Sequence, residues 1–470
     1  MSNIVNFLLI LIITTGCSLN KNSKFWTTNE NIEEVKFENK GKKSDGKELV
    51  CKSTLLIKHD CKYVSPSNEK EIYAKEKPIK KEFNPSLNIN LSSKPIKKNF
   101  YNNLDNNNGR VNYNGNLKSI SKYRYSKIDN FHKFEPEISF DKDSIIFFDN
   151  KGTVIKFDKD SKLLWKKNYY SKLQKKQNPI LSFANSKNTL IVVDSIAKYY
   201  ALNVKTGELL WSKENTAPFN SQLKIYKDKF FVIDFTNTLR CFSIKDGTEI
   251  WKIKTDNSLI RSQKKLSLVI INEKIYFNNS LGDISAVDIN NGNLLWQKPT
   301  QSTLVYDQLF SLKTSDLIAD QNSLYFSNNT NQFFSIDINT GSTNWMQKIN
   351  SNLRPALIDD YLFTVSLEGF LIVIEKDTGN IIRISDLFKM MSRKYLLEDK
   401  DIRDEIIPMG FIVGSKNIYV TTKRGRLFIA DIKTGQTDKI LRIDRGIISR
   451  PFVSNQNLYI IKDNSIIKLD

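Results

Sequence analysis

The chain has 470 residues, of which 40% are hydrophobic, and 71 Lys and Arg outweigh 51 Asp and Glu to give a formal net charge of +20. Such a charge suits nucleic-acid binding, but lysine is spread along the whole chain with Asn and Ile, and no helix-turn-helix, zinc finger or aromatic RNA motif accompanies it. The two histidines, His59 and His132, are too few for a histidine-based metal or catalytic site. We therefore expect no nucleic acid, no metal and no catalytic residues.

Residues 1–16 resemble a lipoprotein signal peptide. An apolar run at residues 7–13 is too short to span a bilayer as a mature helix. Thr14, Thr15 and Gly16 then precede Cys17, as in a bacterial lipobox, in which the cysteine becomes the lipidated N-terminus. By analogy with lipoprotein sorting, Ser18 after the cysteine favours the outer membrane. The sequence thus predicts a lipid anchor at Cys17 on the periplasmic face of the outer membrane.

Residues 17–115 are rich in Lys, Asn and Ser and lack apolar periodicity, which predicts a mostly disordered tether. Export would place Cys51 and Cys61 in an oxidising compartment, where they are either a short-loop disulfide or two unpaired thiols. The sequence KPIKKEF at residues 77–83 recurs as KPIKKNF at residues 94–100. This doubled motif is either a short element that binds a partner or a membrane surface, or a local duplication without function.

Residues 116–470 contain one unit repeated eight times. It is clearest at residues 282–296, GDISAVDINNGNLLW, where alternating apolar residues, a turn and a second apolar run predict a hairpin. The position of Asp288 recurs along the chain at intervals centred near the period of a four-stranded blade. The recurring positions are Asp158, Asn203, Ser243, Asp288, Asp337, Glu375, Asp431 and Asp470. Of these, Asp158, Asp288, Asp337 and Asp431 are expected to cap turns.

A blade cannot bury both faces alone, so the eight units predict an all-β, eight-bladed β-propeller of four-stranded blades. Five tryptophans follow the recurring position by seven or eight residues and are expected to fill the gaps between blades: Trp165, Trp211, Trp251, Trp296 and Trp345. Cys241 falls at an inward strand position and is expected to be a small core residue. The eighth unit stops before its outermost strand, and residues 117–125 (LKSISKYRY) are expected to supply it.

The pattern G-x-x-x-A-x-D-x-x-x-G-x-x-x-W resembles the repeat of quinoprotein-type (PQQ-like) β-propellers. That fold hosts both enzymes and scaffolds. In the enzymes, PQQ and calcium occupy the axial funnel, often beside a vicinal cysteine pair. This sequence has no adjacent cysteines, and its propeller leaves little chain for additional loops. A quinoprotein dehydrogenase and a tethered propeller that binds cell-wall glycan stay open as alternatives.

Together with the lipobox, the repeat resembles the BamB-type lipoproteins of the outer-membrane barrel-assembly machinery. The resemblance implies a non-catalytic periplasmic scaffold without a cofactor, which binds the periplasmic domains of the barrel-assembly protein and associated lipoproteins. Residues 258–261 are similar to that family's binding loop, which makes Leu259, Ile260 and Arg261 candidate partner-binding residues.

Arg354 and Arg450 precede later blades in similar positions. With Arg261 they either place positive charge at one mouth of the ring or each pair with a carboxylate at a blade edge. The longest insertion, residues 385–408, carries Met390 and Met391 among charged residues and predicts a short amphipathic helix. Such a helix either offers an apolar contact site or packs onto the propeller.

Overall fold

The computed structural model describes residues 48–54, 58–64, 79–92, 110–256, 261–262, 264–300, 312–391 and 406–470. The chain divides into two compact units, residues 1–75 and 76–470. None of the helices in these ranges is long and apolar enough to cross a membrane. Cys17, Leu259 and Ile260 lie outside the described residues, so the predictions made for them stay predictions.

The first unit contains an antiparallel hairpin of Glu48–Thr54 and Lys58–Val64. Its register places Cys51 directly opposite Cys61. Directly opposed residues in an antiparallel pair have neighbouring Cβ atoms. The side chains of this hairpin lie outside what the structure describes, so the disulfide stays a prediction.

The second unit is an eight-bladed β-propeller of four-stranded antiparallel sheets, as the sequence predicts. Blade 1 comprises Ser139–Asp141, Ser144–Phe148, Val154–Phe157 and Leu163–Lys167, and blade 2 Leu181–Ser186, Thr189–Asp194, Lys198–Asn203 and Leu209–Glu214. Blade 3 comprises Lys224–Tyr226, Lys229–Ile233, Thr238–Ser243 and Glu249–Lys254, and blade 4 Leu268–Ile271, Lys274–Asn278, Ile284–Asp288 and Leu294–Lys298. Blade 5 comprises Ile318–Ala319, Ser323–Asn328, Gln332–Asp337 and Thr343–Gln347, and blade 6 Ala356–Ile358, Tyr361–Val365, Phe370–Glu375 and Ile381–Asp386. Blade 7 comprises Pro408–Val413, Asn417–Thr422, Arg426–Asp431 and Thr437–Arg442.

Blade 8 confirms the predicted ring closure. It comprises Pro451–Ser454, Asn457–Ile461 and Ser465–Leu469, and its fourth strand is Ser119–Arg124, which pairs antiparallel with Ser465–Leu469. Tyr123 of the closing strand is fully buried, and its hydroxyl donates to the Lys159 carbonyl at 3.0 Å. A strand from before the first blade therefore joins the two ends of the ring.

In the turns of the repeat, acidic side chains accept hydrogen bonds from backbone N–H groups, as predicted. The Asp288 carboxylate accepts hydrogen bonds from the backbone N–H groups of Asn290 and Asn291, at 2.8 and 3.2 Å. The Asp337 carboxylate does the same for Asn339 and Thr340. These acidic residues cap their turns, which confirms the prediction made for them.

Each repeat tryptophan packs against the turn glycine of the next blade. Gly292 has a φ of 75°, and a Cβ added there would lie 2.5 Å from the Trp251 ring, so only glycine fits. The Trp251 indole N–H donates to the Ile289 carbonyl at 3.3 Å. The equivalent ring–glycine pairs are Trp165–Gly207, Trp211–Gly247, Trp296–Gly341 and Trp345–Gly379. The prediction that these tryptophans join adjacent blades is confirmed.

Between blades 6 and 7 an arginine takes the place of the tryptophan. Arg383 is fully buried and packs against Gly435, and its guanidinium donates to the Ile432 carbonyl at 3.0 Å and to that of Lys433. Burial lowers the pKa of Arg383 to about 10. Carbonyl oxygens of the next blade thus replace the ring–glycine contact at this junction.

Two short helices and apolar clusters between blades complete the described propeller. The helices are Phe131–Phe134 and Lys172–Lys176, and the second has a capping box formed by Ser171 and Gln174. Cys241 is fully buried in the cluster between blades 3 and 4, as predicted, and burial raises its pKa to about 12. The described start of the insertion, residues 387–391, packs onto the propeller, where the Phe388 and Phe428 ring centroids are 4.9 Å apart.

Residues 79–92, here called the strap, lie within the predicted tether and pack on the rim of the propeller. Phe83 and Ile384 exchange backbone hydrogen bonds of 3.1 and 2.9 Å, so the strap adds to the outer strand of blade 6. Ile89 is only 4% exposed and belongs to the apolar cluster between blades 6 and 7.

Candidate functional site

Two faces of the ring differ in what they carry. Because every blade is an antiparallel meander, the connections between blades and the turns between second and third strands share one face, here called the connection face. The other turns lie on the opposite face, here called the turn face. Arg261, Arg354 and Arg450 all belong to connections between blades, so the fold places all three predicted arginines on the connection face.

Arg261 lies on the surface of the connection face. Its side chain is exposed, and its guanidinium carbon lies 5.7 Å from the centroid of the Phe235 ring, in the second turn of blade 3. Guanidinium groups over aromatic faces are attracted by the ring quadrupole. The pair forms an exposed cationic and aromatic spot on the connection face.

Arg450 lies inside the ring and pairs with two carboxylates. Its guanidinium donates to Asp316 at 3.0 Å and also to Glu137. Asp316 precedes blade 5, Glu137 precedes blade 1 and Arg450 precedes blade 8. An ion pair between blades 8 and 5 must reach across the axis of the ring. For Arg450 the alternative that it pairs with carboxylates is confirmed, although the pairs cross the ring and do not lie at a blade edge.

Four further cations surround this crossing. Lys265, before blade 4, places its ammonium 3.7 Å from Glu137, and that of Lys264 lies 3.8 Å from Glu135. Lys224 begins blade 3 and is 5% exposed, and Arg354 precedes blade 6. We call this group the axial ion network: Glu135, Glu137, Lys224, Lys264, Lys265, Asp316, Arg354 and Arg450.

The network shifts the pKa values of its own members. Burial raises the pKa of Asp316, but the charges of Arg450, Lys264 and Arg354 outweigh burial and leave that pKa well below its usual range. At Glu137, burial raises the pKa, whereas the charges of Lys265 and Arg450 lower it, and the net effect is a lowered pKa. Burial and the charge of Arg354 lower the pKa of Lys224 to about 7, against the opposite effect of Glu137 and Asp316. Both carboxylates therefore stay ionised near neutral pH.

The axial ion network does not fit a quinone and calcium site. Calcium takes six to eight oxygen ligands, many of them carboxylates. The network has three described carboxylates, Glu135, Glu137 and Asp316, and five cationic side chains. Arg450 alone donates hydrogen bonds to two of the three carboxylates. Among the residues that the structure describes, no group of three or more His, Cys, Asp or Glu is arranged to hold a metal ion.

Sequence reasoning missed most of this network. It singled out Arg354 and Arg450 but not Glu135, Glu137, Lys224, Lys264, Lys265 or Asp316. Each of these residues stands at, or a few residues before, the start of a first strand. That common position is the signal that could have found them, since first strands surround the axis of a propeller.

Comparisons with known proteins agree with this fold. Residues 150–385 match the family described as outer membrane protein assembly factor BamB. The structure of BamB from Moraxella catarrhalis is 17% identical, with a TM-score of 0.60 over 75% of this chain and 99% of that one. Quinohemoprotein alcohol dehydrogenase from Comamonas testosteroni is 10% identical, with a TM-score of 0.55 over 77% of this chain and 78% of that one. The computationally designed protein Ika8 is 13% identical, with a TM-score of 0.54 over 76% of this chain and 99% of that one. No curated protein gives a significant match.

The fold and its repeat define an eight-bladed β-propeller of the PQQ-like class. Structural likeness at these identities shows the fold alone, and that fold includes both assembly factors and dehydrogenases. The family match covers half of the chain, and the chain belongs to the BamB family.

Proposed function

We propose that this protein is a non-catalytic periplasmic lipoprotein that assists the assembly of β-barrel proteins into the outer membrane. The family match is the observation that carries the proposal. The lipobox at Cys17 supports a lipid anchor on the periplasmic face of the outer membrane. The partners would be the periplasmic domains of the barrel-assembly protein and its associated lipoproteins.

The chemistry of the axis supports a role without catalysis. In the PQQ-like enzymes the axis holds the cofactor, whereas here ion pairs that join blades 8, 5 and 1 occupy one mouth of the ring. Introducing a quinone and calcium would have to break those pairs and leave buried charges without partners. The ion pairs join distant blades of the ring, which is a structural role.

The connection face is the proposed partner surface. Arg261 is exposed there over Phe235, and arginine and aromatic residues are enriched where binding energy concentrates. Leu259 and Ile260 precede Arg261 in the chain and would add apolar contacts. Arg450 is half-buried and hydrogen-bonded to Glu137 and Asp316, so we assign the partner contact to Arg261.

The test is affinity purification of the tagged full-length protein from gently solubilised membranes, followed by mass spectrometry. We expect recovery of the barrel-assembly protein from the wild type and at least tenfold less from Arg261→Glu. Lys245→Glu is the matched control, because Lys245 is an exposed cation of blade 3 on the opposite, turn face. Equal recovery with both variants would rule out the proposed surface. Recovery of other envelope proteins alone would rule out the assembly role.

A further inference from the structure

The strap shows how the first copy of the doubled motif binds the propeller. Besides the two hydrogen bonds between Phe83 and Ile384, the Glu82 carboxylate accepts from the Asp386 N–H at 3.2 Å and from the Lys389 ammonium at 2.6 Å. Ile79 packs against the apolar cluster between blades 5 and 6. The described part of the KPIKKEF motif is therefore a peptide that pairs with a strand edge and inserts its isoleucine.

The residues after the motif fix the strap to the next blade. The Ile89 N–H donates to the Lys433 carbonyl at 2.9 Å, and Arg383 donates to the Leu87 carbonyl at 3.1 Å. Arg383 is the residue that replaces the repeat tryptophan, so the strap covers a junction that lacks the ring–glycine contact. We call the surface formed by Ile381–Asp386, Lys389 and Lys433 the rim seat.

The second copy of the motif retains the isoleucine and the phenylalanine of the first copy. Residues 94–100 read KPIKKNF, so Ile96 corresponds to Ile79 and Phe100 to Phe83. At the same spacing, Leu104 corresponds to Leu87. Because the strand pairing uses backbone groups, it tolerates the replacement of Glu82 by Asn99.

We infer that the rim seat is a binding site for either copy of the motif, and that residues 94–109 are its alternative occupant. The two copies then compete for one seat on their own chain. When the second copy binds, the chain between Cys17 and the seat is longer by the spacing between the two copies, so the propeller can lie further from the membrane.

The chain is long enough for the exchange. Ile89 bonds to Lys433, the neighbouring Ile432 bonds to the Lys416 carbonyl, and Arg110 reaches the Ser415 carbonyl. The rim seat is therefore close to where the chain at Arg110 joins the ring. With Asn106 in the place of Ile89, only residues 107–109 link the seated copy to Arg110. The chain from residue 106 to residue 110 can span about 13 to 14 Å, at about 3.3 to 3.6 Å per residue. The closing strand at Ser119–Arg124 stays in place in both states.

The first copy is preferred for a physical reason. Ile89 is buried, and its counterpart in the second copy is Asn106. Burial of one isoleucine favours the first copy by at least about tenfold. Loss of Ile89 should therefore give the second copy access to the seat.

Hydrogen exchange of Ile381–Asp386, followed by mass spectrometry on the intact chain, tests the proposal. The Ile384 N–H donates to the strap, so its exchange reports whether the seat is occupied. The double variant is Ile79→Asp/Ile89→Asn, which weakens the first copy, and the quadruple variant adds Ile96→Asp and Phe100→Asp, which weaken the second. We expect this strand to exchange at least tenfold more slowly in the double variant than in the quadruple variant. The outer strand of blade 2, Leu209–Glu214, is the internal reference and should be unchanged.

A second measurement uses a fluorescent peptide of residues 92–109. We expect saturable binding to the quadruple variant, in which neither copy holds the seat, and at least tenfold weaker binding to the wild type, where the first copy holds it. Equal exchange in the double and quadruple variants, or no peptide binding to the quadruple variant, would overturn the proposal. Binding of a scrambled peptide with equal affinity would also overturn it, because charge alone would then explain the contact.

Discussion

Single side chains determine how neighbouring blades pack together. The tryptophan junctions can be predicted from the sequence, whereas the junction made by Arg383 cannot. Five tryptophans could be placed from sequence because residue type and spacing both recur. Arg383 stands at the same spacing, eight residues after Glu375, but an arginine in that place carries no apolar signal. Only the structure shows that the Ile432 and Lys433 carbonyls accept its hydrogen bonds and compensate for its burial.

Asp194 gives a prediction at the same scale. It is 1% exposed, and its carboxylate accepts from the N–H groups of Ile196 and Lys198 and from the Tyr170 hydroxyl. Burial raises its pKa to about 6, and those hydrogen bonds only partly offset the effect. Between about pH 4 and pH 6 the folded state therefore holds a proton that the unfolded state has lost, so this residue's contribution to stability falls as pH rises.

Urea unfolding of the wild type and of Asp194→Asn from pH 4 to pH 7 tests this. The free energy of unfolding of the wild type, relative to the variant, should fall by about 2 to 3 kcal/mol over that range. Asp149→Asn is the control, since Asp149 caps the equivalent turn of blade 1 but is only half-buried. A pH-independent difference for Asp194→Asn would contradict the prediction.

At the scale of secondary-structure elements, the sequence predicts the blades but does not predict the strap. Hairpins of the second, third and fourth strands repeat with turn glycines and tryptophans, and the closing strand was found because the eighth unit is one strand short. In the strap, apolar and polar residues alternate only over residues 87–92, and the residues that pair with blade 6 show no such pattern. Its strand pairing depends on the exposed edge of blade 6, which no local pattern reveals.

Chains that begin at residues 76, 110 and 126 separate the two N-terminal elements. The first retains the strap, the second retains only the closing segment, and the third lacks both. We expect the first two to unfold cooperatively in urea. The third loses Tyr113 and Tyr123, which are both fully buried, and should be destabilised by at least about 5 kcal/mol. Cooperative unfolding of all three at one midpoint would show that the closing strand is dispensable.

The axial ion network belongs to the scale of the whole molecule, because its members come from six blades. No local window could predict which of them meet, since Arg450 and Glu137 are 313 residues apart. Closure of the ring brings them together. Removing Arg450 takes the hydrogen-bonding guanidinium away from both Asp316 and Glu137, so Arg450→Met should cost about 3 to 5 kcal/mol at pH 7.

The pH dependence of that cost has a defined sign. Asp316 and Glu137 have lowered pKa values, so their pairing stabilises the fold above about pH 4 and is lost as pH falls. The difference in free energy of unfolding between the wild type and Arg450→Met should therefore shrink on acidification. Arg445→Met, an exposed arginine in the same connection, is the control and should differ little from the wild type. A cost for Arg450→Met that does not change between pH 7 and pH 3 would argue against the ion pairs.

The closing strand also determines when the molecule can finish folding. Ser119–Arg124 pairs with Ser465–Leu469, so nearly the whole propeller lies between the two partners along the chain. Contacts between such distant segments form late, because the entropy of closing the intervening loop must be overcome first. Because the chain is made N-terminus first, the edge of Ser119–Arg124 stays unpaired until all eight blades have been made. During that interval the open strand edge can pair with other chains.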